Sequence, residues 1–279
     1  MLTLTSTEIA TWIAALLWPL TRILGLIAAA PMWGNAAIPV SVKVSLGVLM
    51  AMVITPAIPA LPAADPMSLA GLTVLLREML IGVGMGFSMR IVFAAVEMAG
   101  EVSSLTMGLG FATFFDPQSS GRSSAVSQFL ALVATTLFIV TNAHLVLIEV
   151  LAESFISMPV AATPMAAGAP LELALWGARI FSAGLQLSLP IVAALLITNV
   201  ALGILTRAAP QLNIFGIGFS VSLAVGLLVI SLVVPYLGTP LQNLINEGIE
   251  TTRSLARTAG KNSKMDAPAG AQPQVPQRN

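Results

Sequence analysis

Cysteine is absent from the 279 residues, and histidine occurs once, at His144. These two gaps exclude a disulfide framework, thiol catalysis, iron–sulfur ligation and every Cys/His zinc site. Charge is nearly as scarce: 9% of residues are Asp, Glu, Lys or Arg against 57% hydrophobic, and the mean hydropathy is +0.93. Soluble domains carry about 25% charged residues, so this chain could not clothe a water-facing surface, and the bilayer is its natural solvent. Neither sign is in excess. Twelve basic and twelve acidic residues cancel, which removes the case for a nucleic-acid partner. The acids are spread out rather than clustered, and no cofactor is legible.

What the chain does have is long apolar runs. Charge-free stretches cover 9–21, 23–42, 44–64, 102–115, 123–148, 180–206 and 208–246. With turn signals as breaks, they predict an all-α, membrane-associated fold of about six long, partly broken apolar helices, near 9–30, 40–61, 69–104, 124–151, 174–206 and 214–236. The first segment has no basic residue ahead of it and its first charge is Glu8, so it reads as a structural helix rather than a cleaved signal. From about residue 247 the composition turns polar, which predicts a short helix and then a disordered tail. Residues 251–279 hold five of the twelve basic residues and one acid, and the positive-inside rule puts that end in the cytoplasm.

Several segments are poor copies of simple spanning helices. Pro19 and Pro190 fall inside helical runs, and Pro56, Pro59 and Pro62 end the second. Gly82 and Gly86 form a small-residue packing face, and with Gly84 they lack the spacing of any nucleotide loop. Arg22, Arg77, Glu78, Arg90, Glu97, Glu101 and Arg207 lie inside or against apolar segments. Each would cost at least about 2.5–3.5 kcal/mol at the bilayer centre, so they must face protein, water or the ends of the bilayer. Arg90, Glu97, Glu101, Ser104 and Gly108 share one helical face, on which Glu97 and Glu101 repel unless solvated or paired. That face is either a polar seam sealed against neighbouring helices, with Arg90 as one partner, or a wet conduit or subunit interface. His144, beside Asn142, reads as a satisfied polar contact rather than a base.

Two connecting stretches stand apart. The first, 108–121, is bounded by Gly108, Gly110 and Gly121, turns at Asp116-Pro117, and carries Phe111, Phe114 and Phe115 on backbone that should be irregular. It is either a movable apolar seal or an interfacial re-entrant turn anchored by its phenylalanines. In the second, Pro210 forces a break after Arg207, and Gln211 and Asn213 can pair the backbone groups the break exposes. A helical hairpin with a polar tip accounts for it.

Together these features resemble the FliR family of the flagellar protein-export gate, relatives of the T subunit of virulence type III injectisomes. The pieces that carry the resemblance are Arg22-Ile-Leu-Gly25 with Ala30-Pro31, Arg77-Glu78 followed by Gly82, and Met98-Ala-Gly-Glu101. Further along come Met107-Gly-Leu-Gly-Phe-Ala-Thr-Phe-Phe-Asp-Pro117, Asn142-Ala-His144, Ala201-Leu-Gly203 and Ala209-Pro-Gln-Leu-Asn-Ile-Phe215. The likeness covers roughly residues 1–250, and the polar stretch 251–279 matches no motif of the family.

The resemblance implies a non-enzymatic subunit in the bacterial inner membrane at the flagellar basal body. It would assemble with FliP-like and FliQ-like subunits, in association with FlhB-like and FlhA-like proteins, into a channel for unfolded protein substrates. The chain would divide into a FliP-like part, about 1–170, and a FliQ-like hairpin, about 171–250. The Gly110–Gly121 loop would match the family's pore plug, with the three phenylalanines as its seal. Besides the injectisome subunit, a secondary transporter would show broken helices and intramembrane charge, and a pure scaffold would be insensitive to changes in the loop.

Overall fold

Proline, serine and glycine set the element boundaries. The computed structural model describes residues 6–58, 65–111, 123–161, 168–209 and 214–265, and among these every regular element is a helix. Helix α1 (Ser6–Ala29) stops just ahead of Ala30-Pro31, because the residue before a proline resists helical backbone angles. Helix α2 (Val40–Ile54) begins after Pro39 and closes in one 3-10 turn at Thr55–Ala57. Helix α3 (Leu69–Thr106) starts at Ser68, whose hydroxyl accepts the Gly71 N–H at 3.0 Å. It runs for 38 residues until Gly108 turns the chain at a φ of 86°. Helix α4 (Ala125–Val140) is capped by Ser124 and gives way to α5 (Ala143–Ser157). Then follow α6 (Gly168–Trp176), α7 (Arg179–Ala208), α8 (Ile214–Val233) and α9 (Gly238–Met265).

The hub is α3, against which α1, α4, α7 and α9 all pack. Glycine makes the tightest of these contacts possible. A Cβ on Gly82 would fall 2.0 Å from the Arg22 carbonyl oxygen, and one on Gly25 would fall 2.8 Å from that of Met79. The Gly82/Gly86 face is therefore the seam on which α1 and α3 meet backbone to backbone. Gly100 does the same for α4, since its Cβ would lie 2.3 Å from the Ser127 Cα. The main core joins Trp18, Ile23 and Leu26 of α1 to Met85 and Met89 of α3, Phe138 of α4 and Phe155 of α5. A smaller core of Met107, Val126, Ile191, Leu195 and Ile230 forms where α3, α4, α7 and α8 meet.

Four described helices are long and apolar enough to cross a membrane. They lie in the windows Val40–Ala57, Leu69–Thr106, Gly168–Ala208 and Gly218–Tyr236. The expected single helix at 124–151 is instead the bent pair α4 and α5, which turns by 66° and would make a fifth crossing. Asn142 sits at the elbow with a left-handed φ of 57°, a conformation that asparagine tolerates better than most residues. Helix α1 is 24 residues long, with Arg22 inside its apolar run. Pro19 and Pro190 do lie within α1 and α7.

The largest departure is at the C-terminal end. The expected disordered tail from residue 251 is, as far as Met265, the second half of the 28-residue helix α9. Leu241, Leu244, Ile245, Ile249, Thr252, Leu255 and Ala256 are all buried, at the spacing of a helix that lays one face on a core. Its neighbours are α3, α4, α5 and α6. Arg253 reaches Glu153 on α5 at 3.2 Å and Glu250 at 2.8 Å, and Arg179 on α7 donates to Glu247. Basic composition had hidden an amphipathic period.

Candidate functional site

The charges of the apolar segments are not scattered inside the fold. Arg22 on α1 and Glu78 on α3 are both fully buried and meet through the Arg22 Nε and a Glu78 carboxylate oxygen at 2.7 Å. The same guanidinium donates to the Ser154 hydroxyl on α5 and to the Met158 carbonyl, each at 3.0 Å, and lies 4.2 Å over the Phe155 ring. Arg77 meets the other Glu78 oxygen at 3.3 Å and donates to the carbonyls of Pro159 at 3.0 Å and Ala161 at 3.3 Å. Two guanidiniums thus share one carboxylate, and the Ser154 hydroxyl and backbone oxygens beyond α5 accept from them, while the Arg77 Nε is buried without a partner among the described residues. The arrangement is a clamp that ties α1, α3 and the chain leaving α5 at one buried point.

The polar face of α3 separates into two parts. Arg90 and Glu97 are exposed on the surface of the chain, and their charged groups have no ion-pair or hydrogen-bond partner among the described residues, although the Glu97 backbone carbonyl accepts the Ser127 hydroxyl at 2.8 Å. Glu101 is half-buried, and its carboxylate accepts the Ser124 N–H at 3.2 Å, one residue ahead of α4. Among the described residues, then, nothing seals this face, and Arg90 makes no ion pair with either carboxylate. His144 leans on Phe138 with ring centroids 6.4 Å apart, and its Nδ1 is buried without a partner. The expected polar contact of that histidine is absent among the described residues.

Of the loop between α3 and α4, only its entry can be placed. Gly110 and Phe111 end a 3-10 turn over Leu109–Phe111. Phe114, Phe115, Asp116, Pro117 and Gly121 lie outside the described residues. So do Pro210, Gln211 and Asn213 of the hairpin tip, while Arg207 is exposed in the last turn of α7. The Arg22–Glu78–Arg77 clamp was legible as three costly charges, but not as one cluster.

Buried charge held by protein groups, together with long apolar helices whose outer faces are bare, defines an all-helical membrane protein. Comparison with known proteins makes this specific. A model of the family described as "Bacterial export proteins, family 1" matches residues 13–248. The chain is 42% identical over 247 residues to the flagellar biosynthetic protein FliR of Pectobacterium carotovorum subsp. carotovorum, covering 88% of this chain and 94% of that one. It is 38% identical over the same length and shares to the FliR of Escherichia coli (strain K12). It is 30% identical over 188 residues to that of Bacillus subtilis (strain 168), covering 66% of this chain and 72% of that one. The chain belongs to the FliR family of bacterial export proteins.

Proposed function

We propose that this chain is a core subunit of the flagellar type III export gate in the bacterial inner membrane, at the flagellar basal body. There it would join FliP-like and FliQ-like subunits around a passage for unfolded rod, hook and filament proteins, with FlhB-like and FlhA-like proteins attached. The observation that carries this reading is the match to export proteins along nearly the whole folded part of the chain. The outward-turned apolar surface of α7 and α8 supports it, because a surface free of charge suits neighbouring helices as well as lipid. The relatives named above bear the flagellar name rather than that of an injectisome subunit. Deleting the gene in its own bacterium should abolish swimming and the secretion of hook protein, and a tagged copy should retrieve FliP-like and FliQ-like chains. A stable, monodisperse monomer that retrieves neither would refute the reading.

Within that gate, the loop from Gly110 to Gly121 is the plug. Its support is compositional: Phe111, Phe114 and Phe115 offer an apolar seal, Gly110 and Gly121 give backbone freedom, and Asp116-Pro117 makes the turn. Arg207, Pro210, Gln211 and Asn213 cap the FliQ-like hairpin formed by about 171–250, beside a FliP-like part of about 1–170. Removing the loop should leave assembled gates leaky to small ions. A deletion variant as tight as the wild type would show that the seal lies elsewhere.

A further inference from the structure

We infer that the outer face of α3 is the docking surface for a helix of another subunit, one that presents a carboxylate to Arg90 and a cation to Glu97. The inference rests on the proposed membership of a multi-subunit gate and names the surface through which that membership is made. Leu72, Leu76, Phe87, Arg90, Glu97 and Leu105 are all exposed, and helical spacing puts them on one side of α3. The stripe is apolar up to Phe87 and then carries the exposed charges of Arg90 and Glu97, with the half-buried Glu101 between them and Leu105. Seven residues separate the charges, so they stand about 10 Å apart along the helix axis, nearly in line. That is too far for a direct pair and suits two turns of a partner helix.

The alternatives fit less well. Lipid is a poor neighbour for Arg90 and Glu97, since each would lie without a partner on a helix whose exposed face is otherwise apolar. Open water is a poor neighbour for Phe87 and Leu105 on the same stripe. A protein face with complementary charges suits all of them, and opposite signs two turns apart also fix the register and direction of the helix that docks. Glu101 is set back from this pair, half-buried and with one carboxylate oxygen accepting the N–H before α4, so it adds to the negative end of the stripe rather than marking its register.

The test uses the full chain, tagged and expressed from its own locus with the rest of the export genes. The variants are Arg90→Glu, Glu97→Arg, the swap R90E/E97R, and the conservative Arg90→Lys. The readouts are the amount of FliP-like and FliQ-like subunit retrieved per copy of the tagged chain, and the amount of that chain in membranes. Arg90→Glu and Glu97→Arg should each lower the retrieved subunit by about tenfold or more, as like charges meet across the contact. Arg90→Lys should lower it by less than about threefold. The swap should be no better than either single change, because the partner's charges stay where they are.

Full assembly with altered export or ion leakage would overturn the inference, since it would place these charges on a wet passage. Recovery in the swap would overturn it too, since the two residues would then answer only to each other. Loss of the chain itself from membranes would count against it equally, because exposed side chains are not needed for the fold. If the wild-type chain retrieves no export subunit, the gate reading fails first, and that outcome is distinct from a defect confined to the variants.

Discussion

The clamp on α3 and the hairpin of α7 and α8 invert the usual distribution of charge. Around the clamp, Arg22 and Glu78 are completely buried and Arg77 nearly so. On the hairpin there is no charge between Arg179 and Arg207 or from there to Glu247, yet most of the surface is bare. The apolar window of α3 is 61% buried, against 11% for the window that contains α7 and 17% for that of α8. Hydropathy alone would have ranked these helices the other way, because the buried one is the one that carries ions. The difference teaches that charge in α3 is an internal fastening, whereas the absence of charge in α7 and α8 marks an outward face.

If that contrast is sound, removing one member of the clamp should be the most damaging single change in the chain. Glu78→Gln leaves two buried guanidiniums without a counter-charge and should cost about 3–5 kcal/mol. The expected result is a much lower unfolding midpoint in detergent and loss of the chain from membranes. An unchanged midpoint would mean that water or lipid headgroups neutralise the cluster. Gly82→Ala comes next, since the new methyl must push α1 away from α3 at the Arg22 carbonyl. Overpacking of this kind costs about 1–3 kcal/mol, read from the same melting curve. The smallest effect on the isolated chain belongs to the hairpin. Ile197, exposed on α7, should accept Ile197→Ser with a change within about 0.5 kcal/mol. The same variant should retrieve fewer partner subunits, and a chain that melts earlier without losing partners would reverse the comparison.

How much of this could be read from the sequence depends on whether the signal was local. Gly82 and Gly86, four residues apart, announced a packing face, and a packing face is what they form. Pro56 marks the end of α2, whereas α1 and α7 run on through Pro19 and Pro190 without a break. Arg22, Arg77 and Glu78 announced burial against something other than lipid, but nothing near Arg22 points to a carboxylate 56 residues away or to a serine 132 residues away. Such pairings belong to the tertiary fold. The elbow at Asn142 was missed because the run around it carries no charge, proline or glycine, and a lone asparagine is a weak break signal. The length of α9 was missed for the opposite reason. Its period was present, but Arg253, Arg257, Lys261 and Lys264 drew attention to composition instead. Phe114 to Gly121 and Pro210 to Asn213 rest on sequence and family resemblance.

The clamp also has a schedule. Arg22 leaves the ribosome early, yet the Met158 carbonyl that completes its shell is 136 residues further along the chain. At bacterial synthesis rates the interval is roughly ten seconds. Until Glu78 has followed, 56 residues on, a guanidinium bound for a buried site has to be kept wet or held by the insertion machinery. The shell around Arg22 is therefore complete only after α5 has been made, although Glu78 can pair with it earlier, and inserting this protein is a matter of order in time as well as of hydropathy.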